Sequence, residues 1–447
     1  MKRMVRVSVV IPVYHAQEYI RECMDSLLGQ TLKEIEIICV LDCPKDQTGN
    51  ILKEIAQEDS RIRVIENAEN MGAARSRNRG MGYAMAPYVI FLDADDVFEP
   101  DMLEVLCGRM DETGADVCLF EYDTFYGEAW RDAADGRKNE YADIFRISEL
   151  SEDGLNLLPA ATWNRIYRKT FLEENGLAFQ DLKTDNDVYM GVLSLVLAGK
   201  ITHVKTNKAY LHYRLGLSGQ TTAKANPFDA CMAYKKIHEE LQSRGIWEQY
   251  KSAFWIKFLM TITRELAAGN NEDNNRKAYE WIQEKGISQF GIADIKEQDF
   301  ENPCYASELR KFKERSYETG WFRYAVTLQM QLDYYKAQIC ELCRRWENEG
   351  KELAVWGAGQ YGGTILHFFD KNNIRCGTVI DIDRKKHGSV IENRRIYALE
   401  EAAALADVII VANKRYAEQA REMALRQSEG IMVVTVDEIT GRSGGKE

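Results

Sequence analysis

The sequence has no long apolar run. No stretch of about 18 uncharged apolar residues occurs in it, so no membrane-spanning helix is predicted. The longest candidate, residues 188–198, is too short to span and is typical of a buried helix. Residues 1–4 run directly into a predicted strand and lack the apolar core of a signal peptide. We therefore expect a cytoplasmic protein.

The sequence also lacks an excess of basic residues and any cysteine pattern. Its 58 Lys and Arg are outnumbered by 70 Asp and Glu, for a formal net charge of −12, which argues against nucleic acid as a partner. The ten cysteines are scattered. The one C-x-x-C, Cys340 and Cys343, has no second pair or nearby His for a zinc site. On a helix, that spacing more often places two small apolar groups on one face.

Three carboxylates directly follow a short apolar run. Residues 88–92 predict a strand, and Asp93, Asp95 and Asp96 come next. Ligands of open α/β sheets bind beyond the carboxyl ends of the strands. Acids at that edge can hold a divalent cation, which in turn holds a diphosphate. The alternative is a polar loop that starts the next helix near Pro100.

Strand-like and helix-like segments alternate upstream of these acids. Residues 7–11, 35–41 and 61–65 predict strands, and amphipathic helices separate them. This alternation is typical of an α/β fold with a doubly wound, mostly parallel sheet. Tyr14, Asp42 and Asp93 follow predicted strands and should gather at one edge of the sheet. That edge is predicted to be a nucleotide site.

Residues 7–106 resemble the family 2 glycosyltransferases, which are inverting enzymes of the GT-A fold. The resemblance lies in three motifs: Val-Val-Ile-Pro-Val-Tyr at 9–14, Asn-Met-Gly-Ala-Ala-Arg-Ser-Arg-Asn at 70–78, and Asp-Ala-Asp at 93–95. The second motif is one residue longer here than the family's Asx-Gly-x-x-x-Ala-Arg-Asn stretch. The family's usual Asp-Asp-Gly-Ser-x-Asp-x-Thr is here Leu-Asp-Cys-Pro-Lys-Asp-Gln-Thr at 41–48. This departure keeps Asp42, but it changes the residues that would shape the pocket for the donor's nucleobase.

The resemblance implies roles for individual residues. Asp42 would contact the nucleobase, Asp93 the ribose side of the donor, and Asp95, with Asp96 as a frequent third acid, a Mg²⁺ or Mn²⁺ ion. The remaining residues assigned to donor binding are Pro12, Tyr14, Arg75 and Asn78.

A second block carries the candidate catalytic base. Residues 162–172 resemble the family's Trp-Asn-Lys-Leu-Tyr-Arg element, and Asn186-Asp187 matches a pair that is Glu-Asp in many relatives. Inverting transfer needs a carboxylate that takes the proton of the acceptor hydroxyl. Asp187 matches the family's base, and Asp185 is a rival two residues away. The alternative makes these acids N-terminal caps of the following helix.

Arg214 lies in a Tyr-Arg…Ser segment that, in the family, folds over the donor phosphates. A guanidinium there would neutralise charge on the leaving diphosphate. His212, two residues earlier, is a weaker candidate for an additional metal ligand.

The rest of the chain predicts three further parts after a transferase domain at 1–225. Residues 226–320 predict helices packed on the transferase domain. Residues 321–349 carry apolar residues at spacings of four and three, which fits either a coiled coil joining two copies or a helix docked on its own protein. The apolar positions are Trp321, Ala325, Leu328, Leu332, Tyr335, Ile339, Leu342 and Trp346.

Residues 350–447 predict a small Rossmann-like domain. A strand leads into the G-x-G-x-x-G turn of Gly357, Gly359 and Gly362, and Asp381 ends the next predicted strand. Such a turn can bind a diphosphate at a helix N-terminus, and the acid can hold a ribose. The segment resembles small domains beside sugar-modifying enzymes that bind nucleotides or nucleotide-sugars. A nucleotide, NAD(P) or a purely structural role all remain open.

Two function classes follow. The first is a metal-dependent inverting glycosyltransferase that moves a sugar from a nucleotide-diphospho-sugar, such as a UDP-sugar, to a saccharide or lipid-linked acceptor for cell-surface polysaccharide. It would act in the cytoplasm or at the inner membrane face, with peripheral membrane association and a homodimer as further expectations. The second is a nucleotide-sugar binding or regulatory protein with a degenerate transferase domain.

Overall fold

The computed structural model describes residues 4–126, 129–131, 142–204, 206, 208–215, 226–268, 271–302, 304–319, 328, 332, 335–402, 404–411, 417–427 and 430–439. The chain divides into two compact units, Met1–Ala293 and Asp294–Glu447. None of the described helices is long and apolar enough to cross a membrane.

The first unit contains twelve described strands and eleven α-helices. The strands are β1 (Val7–Val13), β2 (Ile35–Leu41), β3 (Ile62–Glu66), β4 (Tyr88–Phe91), β5 (Val97–Phe98), β6 (Val117–Leu119), β7 (Tyr122–Tyr126), β8 (Ala129–Arg131), β9 (Ile144–Phe145), β10 (Arg165–Arg168), β11 (Ile201–His203) and β12 (Leu211–Arg214). The helices are α1 (Ile20–Leu28), α2 (Thr48–Glu58), α3 (Gly72–Met81), α4 (Met102–Thr113), α5 (Gly154–Leu157), α6 (Lys169–Glu174), α7 (Val188–Leu197), α8 (Pro227–Ser243), α9 (Trp247–Ala268), α10 (Glu272–Trp281) and α11 (Ile287–Gln289).

Eight strands form the main sheet in the order β3-β2-β1-β4-β10-β6-β11-β9. The first four are mutually parallel, while β10 is antiparallel to both neighbours, β4 and β6. Every residue of β2 is buried, as expected for a parallel strand covered on both faces. A second sheet has the order β5-β12-β7-β8. The predicted α/β class with a mostly parallel sheet is confirmed.

Pro12 lies inside β1, whereas the sequence predicted that the strand ends before it. The pairing of β1 with β4 stops at Val10, while its pairing with β2 continues to Val13. A proline has no N–H to donate, and beyond Val10 the β4 side of β1 is unpaired in the described ladder. The strand therefore tolerates Pro12.

The helices after residue 226 form an aromatic layer of the first unit. Tyr234 of α8 meets Phe254 and Phe258 of α9 edge to face, with ring centroids 5.5 and 5.4 Å apart. Phe290 contacts both phenylalanines at 5.1 Å. These aromatic residues at helical spacing are therefore core.

The second unit contains six described strands and six α-helices. The strands are β13 (Leu353–Trp356), β14 (Thr378–Ile380), β15 (Val390–Ile391), β16 (Arg394–Tyr397), β17 (Val408–Val411) and β18 (Met432–Thr435). The helices are α12 (Cys304–Glu314), α13 (Lys336–Asn348), α14 (Gln360–Lys371), α15 (Leu399–Ala402), α16 (Ala417–Gln427) and α17 (Val436–Ile439). The strand order is β15-β16-β14-β13-β17-β18, and all pairs except β15–β16 are parallel.

Helix α13 carries the last three positions of the heptad pattern, Ile339, Leu342 and Trp346, and docks on its own unit. Ile339 and Trp346 are buried in one core with residues of the sheet and α14, such as Val355 and Phe369. Leu328 and Leu332 belong to the same core, whereas Trp321 and Ala325 lie outside the described residues. These contacts are those of the docked-helix alternative, and a coiled-coil dimer through this segment stays a prediction.

The C-x-x-C pair also lies in this core. Cys340 and Cys343 are both buried, and burial raises the pKa of the Cys343 thiol to about 12. The two residues therefore act as small apolar groups of α13.

Candidate active site

The acidic loop after β4, which carries Asp93, Asp95 and Asp96, is partly buried. Asp93 and Asp95 are partly exposed, while Asp96 is fully buried. Burial and the neighbouring Asp93 raise the pKa of Asp95 to about 6, and burial with Asp95 and Asp93 raises the pKa of Asp96 well above its usual range. The Oδ1 of Asp96 accepts from the backbone N–H of Arg214 at 3.1 Å, while its Oδ2 is buried without a partner among the described residues. Three carboxyl groups are therefore held close together at the end of β4, and their mutual repulsion opposes full ionisation.

Arg214 reaches this loop because β12 pairs with β5, the short strand that follows the acids. Its Nε donates to the carbonyl of Asp95 at 2.9 Å, and an amino group donates to Glu22 at 2.6 Å. The guanidinium lies 4.4 Å from the ring centroid of Phe125 and 5.0 Å from that of Tyr19. A fixed positive charge therefore stands beside the acids, and a contact of Arg214 with donor phosphates stays a prediction.

Arg77 joins the two predicted halves of the site and was missed by the sequence analysis. One of its amino groups pairs with Asp93, and the other donates to Asn186 Oδ1 at 3.3 Å. Its guanidinium lies 5.2 Å from the ring centroid of Phe179. The side chain is buried, and its Nε has no partner among the described residues. Arg77 thus connects the acidic loop to the loop that carries Asp187.

A signal for Arg77 was present in the sequence. Ala74, Arg77 and Gly80 recur every three residues on the buried face of α3. A Cβ at Gly80 would lie 2.5 Å from Val10, so this face is pressed against the sheet. A basic residue in such a register points to a buried charge partner. Arg75, which was selected instead, is exposed and pairs with Asp181.

The structure separates Asp187 from its rival Asp185. Asp187 stands at the N-terminus of α7 but makes no capping hydrogen bond with its side chain. Burial raises the pKa of Asp187, Arg77 opposes that shift, and Asp93 adds to it. The charges of Arg77 and Asp93 therefore act on the Asp187 carboxyl group.

Asp185 faces the helical layer instead. Burial and the nearby Glu265 of α9 raise the pKa of Asp185 to about 8, with Asp187 adding to the shift. Its backbone is left-handed, with φ of 50°, which an Asp tolerates better than most residues.

Two predicted donor-binding residues are engaged within the protein. The Asp42 carboxylate accepts from Asn67 Nδ2 and the backbone N–H of Met71, both at 2.7 Å, and from the N–H of Gly72 at 2.8 Å. Asn78 exchanges two 2.8 Å hydrogen bonds with the backbone of Phe179. Asp42 therefore holds the start of α3 and Asn78 holds the loop before Asp187, and their contacts to a donor stay predictions.

Tyr14 directly follows β1, two residues after Pro12, and 48% of its surface is exposed. Its ring packs edge-on against that of His15 at 4.1 Å. An exposed ring at the sheet edge is available for a ligand.

His212 is engaged by two carboxylates. Its Nδ1 lies 2.7 Å from Asp123 Oδ1 and its Nε2 lies 3.1 Å from Glu99 Oε1. Within the described ranges, no three His, Cys, Asp or Glu side chains converge as a metal site. A metal at Asp95 and Asp96 would need further ligands from a bound donor or water.

The glycine turn of the second unit is stabilised by contacts within the protein. Gly357 has φ of 112°, and a Cβ at Gly362 would lie 1.7 Å from the Gly357 carbonyl oxygen, whereas a Cβ at Gly359 would meet nothing within 4 Å. The Asp381 carboxylate accepts from the N–H groups of Ala358 at 2.7 Å and Asp383 at 2.8 Å, and pairs with Lys386 at 2.9 Å. Asp381 therefore braces the turn, and a nucleotide at this place stays a prediction.

Comparisons with known proteins agree with this geometry. Residues 8–176 match the family described as Glycosyl transferase family 2, and residues 349–439 match the family described as C2185-like, N-terminal. The glycosyltransferase GlyA of Streptococcus pneumoniae is 29% identical over 221 residues, which are 47% of this chain and 30% of GlyA. The glycosyltransferase GlyG of the same organism is 30% identical over 225 residues, which are 46% of this chain and 70% of GlyG.

A third relative is TarS of Staphylococcus aureus, named a poly(ribitol-phosphate) β-N-acetylglucosaminyltransferase. It is 26% identical over 262 residues, which are 57% of this chain and 44% of TarS. The crystal structure of TarS 1–349 with UDP-GlcNAc has a TM-score of 0.56 at 21% identity, and covers 72% of this chain and 93% of that one. This likeness shows a shared fold.

The chain spans less than two thirds of the length of several relatives that it matches, including GlyA. It covers more than two thirds of GlyG at 30% identity. Together with the family match over the sheet that carries Asp93 and Asp95, this establishes that the chain belongs to glycosyltransferase family 2.

Proposed function

We propose that this protein transfers a sugar from a nucleoside-diphospho-sugar, with UDP as the expected nucleotide, to a hydroxyl group of an acceptor, with inversion at the anomeric carbon. The observation that carries the proposal is the position of Arg77, which pairs with Asp93 and contacts Asn186 beside Asp187. A donor held at Asp93 would then have its anomeric carbon near the carboxylate that activates the acceptor.

In this proposal Asp187 is the general base. Its carboxylate takes the proton of the acceptor hydroxyl as that oxygen attacks the anomeric carbon and the bond to the diphosphate breaks. The raised pKa of Asp187, caused by burial, makes its carboxylate a stronger base than an exposed one. Arg214, fixed beside the acids, stabilises the negative charge that develops on the leaving diphosphate.

Asp95 and Asp96 fit a Mg²⁺ or Mn²⁺ ion. Oxygen ligands suit these cations, and the buried Oδ2 of Asp96 lacks any partner among the described residues. When bound, the ion would offset the charge of the leaving diphosphate.

A panel of UDP-sugars tests the proposal. Release of UDP is measured with added Mn²⁺ or Mg²⁺ and again with a chelator, and proton NMR of the product reports the anomeric configuration. We expect metal-dependent release and an inverted product. Retention of configuration would contradict the role of Asp187.

The second candidate is a nucleotide-sugar binding or regulatory protein. The altered residues Cys43 and Pro44, which follow Asp42, are the feature that favours it. Saturable UDP-sugar binding without UDP release from any member of the panel would support this alternative.

The same proposal includes the pathway, the acceptor, the cellular location and the oligomeric state. A relative named minor teichoic acid biosynthesis protein GgaB, from Bacillus subtilis, supports a role in cell-surface polysaccharide or teichoic acid synthesis. We propose a saccharide or lipid-linked acceptor, action in the cytoplasm or at the inner face of the membrane, and a homodimer.

A further inference from the structure

Arg165 is a fully buried arginine at the start of β10. Strand β10 is antiparallel to β4, with Ile166 opposite Ile90, so Arg165 lies at the end of β4 that leads into Asp93. Within the part of the chain that the structure describes, its guanidinium forms no ion pair. No step of the proposed transfer uses this charge.

Arg165 fixes the first turn of α7. One of its amino groups donates to the carbonyl of Gly191 at 3.0 Å, and the other donates to the carbonyl of Pro159. The Gly191 N–H in turn donates to the carbonyl of Asp187 at 2.7 Å. A Cβ at Gly191 would lie 1.7 Å from the Ala160 carbonyl oxygen, so α7 is pressed against the segment that Arg165 also holds. The helical turn that begins at Asp187 is therefore held in place by Arg165.

The two carbonyl contacts do not explain why the side chain is charged. Neutral N–H groups also satisfy carbonyl oxygens, whereas a buried guanidinium without an acid opposes folding. The Nε of Arg165 has no hydrogen-bond partner among the described residues. Burial lowers the pKa of the Arg165 guanidinium, and the neighbouring Tyr167 and Asp187 oppose that shift. Asp187 is therefore the acid whose negative charge compensates Arg165.

The reverse effect, of Arg165 on Asp187, depends on the other charges nearby. The charged or titratable groups around Asp187 are Arg77 of α3, Asp93 after β4, Arg165 and Tyr167 of β10, and Asp185 of the same loop. Burial raises the pKa of Asp187, Arg77 lowers it and Asp93 raises it. Because Arg77 and Asp93 form an ion pair, their effects on Asp187 partly cancel. Arg165 also lowers the pKa of Asp187, and its charge is not shared with a second acid in this way.

We propose that Arg165 is a positioning residue for the transfer, whose guanidinium fixes the first turn of α7 and keeps the buried carboxylate of Asp187 ionised. This inference rests on the proposed function, because it concerns the base of that reaction. A base must be ionised before it can take a proton from the attacking hydroxyl. Arg165 acts on the reaction through Asp187, whereas Arg214 acts on the leaving diphosphate.

Arg165→Gln tests the role of the charge, because glutamine keeps N–H donors for the carbonyls but is neutral. Metal-dependent UDP release is measured against pH with the UDP-sugar that the unaltered protein turns over fastest. We expect kcat/KM to begin its fall at a pH about one unit higher than in the unaltered protein, because the ionised form of Asp187 loses a stabilising charge. The loss should be about 10-fold on the acid side and less than about twofold at the alkaline end. An equal loss at every pH would overturn the proposal and leave Arg165 a structural role.

Two further variants control for the loss of packing. Arg165→Lys keeps the charge, so it should lower Tm but leave the pH at which kcat/KM falls unchanged. Arg168→Gln is the matched control, because Arg168 lies three residues along β10 and also donates to two carbonyls, those of Gly114 and Ala115. It should lower Tm without moving the pH profile. A shift of the profile in Arg168→Gln as large as in Arg165→Gln would overturn the proposal.

Thermal melting separates this inference from the proposed function, because it requires no activity. The loss of Tm caused by Arg165→Gln should be smaller in the Asp187→Asn background than in the unaltered protein, since that background lacks the charge that Arg165 compensates. Additive losses of Tm would overturn the inference whether or not UDP is released. Coupled losses without UDP release from any UDP-sugar would contradict the proposed function and not the coupling of these two residues.

The same pair of substitutions covers the case in which Arg165→Gln is too unstable to purify. Recovery of the folded double variant, Arg165→Gln with Asp187→Asn, would then support the coupling. Failure of the double variant to fold would assign Arg165 a structural role and overturn the inference.

Discussion

Arg77 and Asp93 form an ion pair between helix α3 and the loop after β4. Because the same guanidinium also contacts Asn186, displacement of either loop disturbs the other. In the proposed reaction, the donor side and the acceptor side of the site would therefore share one charged residue.

Asp187→Asn should lower sugar transfer at least about 10²-fold while donor binding changes little, since a general base is lost. The unaltered protein should also lose kcat/KM as the pH falls through the pKa of Asp187, which burial places above the ordinary carboxyl value. Steady-state kinetics with UDP release measures both effects. If Asp185→Asn abolished transfer with water and Asp187→Asn did not, the base would be Asp185.

Arg77→Lys should lower kcat/KM for the donor about 10- to 100-fold. A lysine has a single charged nitrogen and cannot contact Asp93 and Asn186 in the fork geometry of a guanidinium. Arg75→Lys is the comparison, because Arg75 is exposed and pairs with Asp181. If Arg75→Lys lowered kcat/KM for the donor more than Arg77→Lys did, donor binding would be assigned to Arg75, as the sequence motif predicted.

Asp95→Asn should remove the stimulation of UDP release by Mn²⁺ or Mg²⁺ and leave the fold intact. The carboxylate lies at the end of a buried strand, where its charge is held close to that of Asp93. Metal titrations of activity, with Tm as the folding control, measure the effect. Near-normal metal-stimulated release in the variant would exclude Asp95 as a ligand.

Asp185 should make stability depend on pH. Its pKa is raised to about 8 in the folded state, so between about pH 4 and pH 8 the folded chain binds more protons than the unfolded chain. The stability contribution of this group is therefore fully present below about pH 4 and is lost as the pH rises to about 8. Tm of Asp185→Asn minus Tm of the unaltered protein should grow from pH 5 to pH 8. A difference independent of pH would contradict the shift.

Substitutions of Gly359 and Gly362, in the glycine turn of the second unit, should have different effects on stability and nucleotide binding. Gly362→Ala should destabilise the unit by about 1–3 kcal/mol, because its Cβ would overlap the Gly357 carbonyl. Gly359→Val has open space at Cβ and should preserve Tm, but should weaken any nucleotide bound at the turn. Binding is measured by titrating NAD, NADP and UDP-sugars into the full chain and following tryptophan fluorescence, for Gly359→Val and for the unaltered protein. Identical curves would assign the turn a structural role.

The sequence predicted the strands that end in acids because each is a short apolar run followed directly by a carboxylate or polar residue. The assignment of Asp187 as the base, with Asp185 as its rival, stays a prediction. The sequence analysis did not select Arg77, although the helical register of Ala74, Arg77 and Gly80 contained the information.

Other features depend on contacts between distant parts of the chain. The antiparallel insertion of β10 and the pairing of β12 with β5 are not encoded in any local pattern. The heptad spacing is the same for a docked helix and a coiled coil, and the contacts of Trp346 with its own unit are not encoded in that spacing. Glu265 carried no motif at all, and its burial became visible only with α8 and α9 in place.

The insertion of β10 between β4 and β6 has a consequence for synthesis of the chain on the ribosome. Strands β4 and β6 leave the exit tunnel before β10, yet neither pairs with the other in the finished sheet. At ordinary elongation rates, the delay until β10 emerges is on the order of seconds. During that interval the β4 edge is an open apolar template for other chains. Truncation products that end between residues 119 and 165 are therefore expected to aggregate rather than accumulate as soluble fragments.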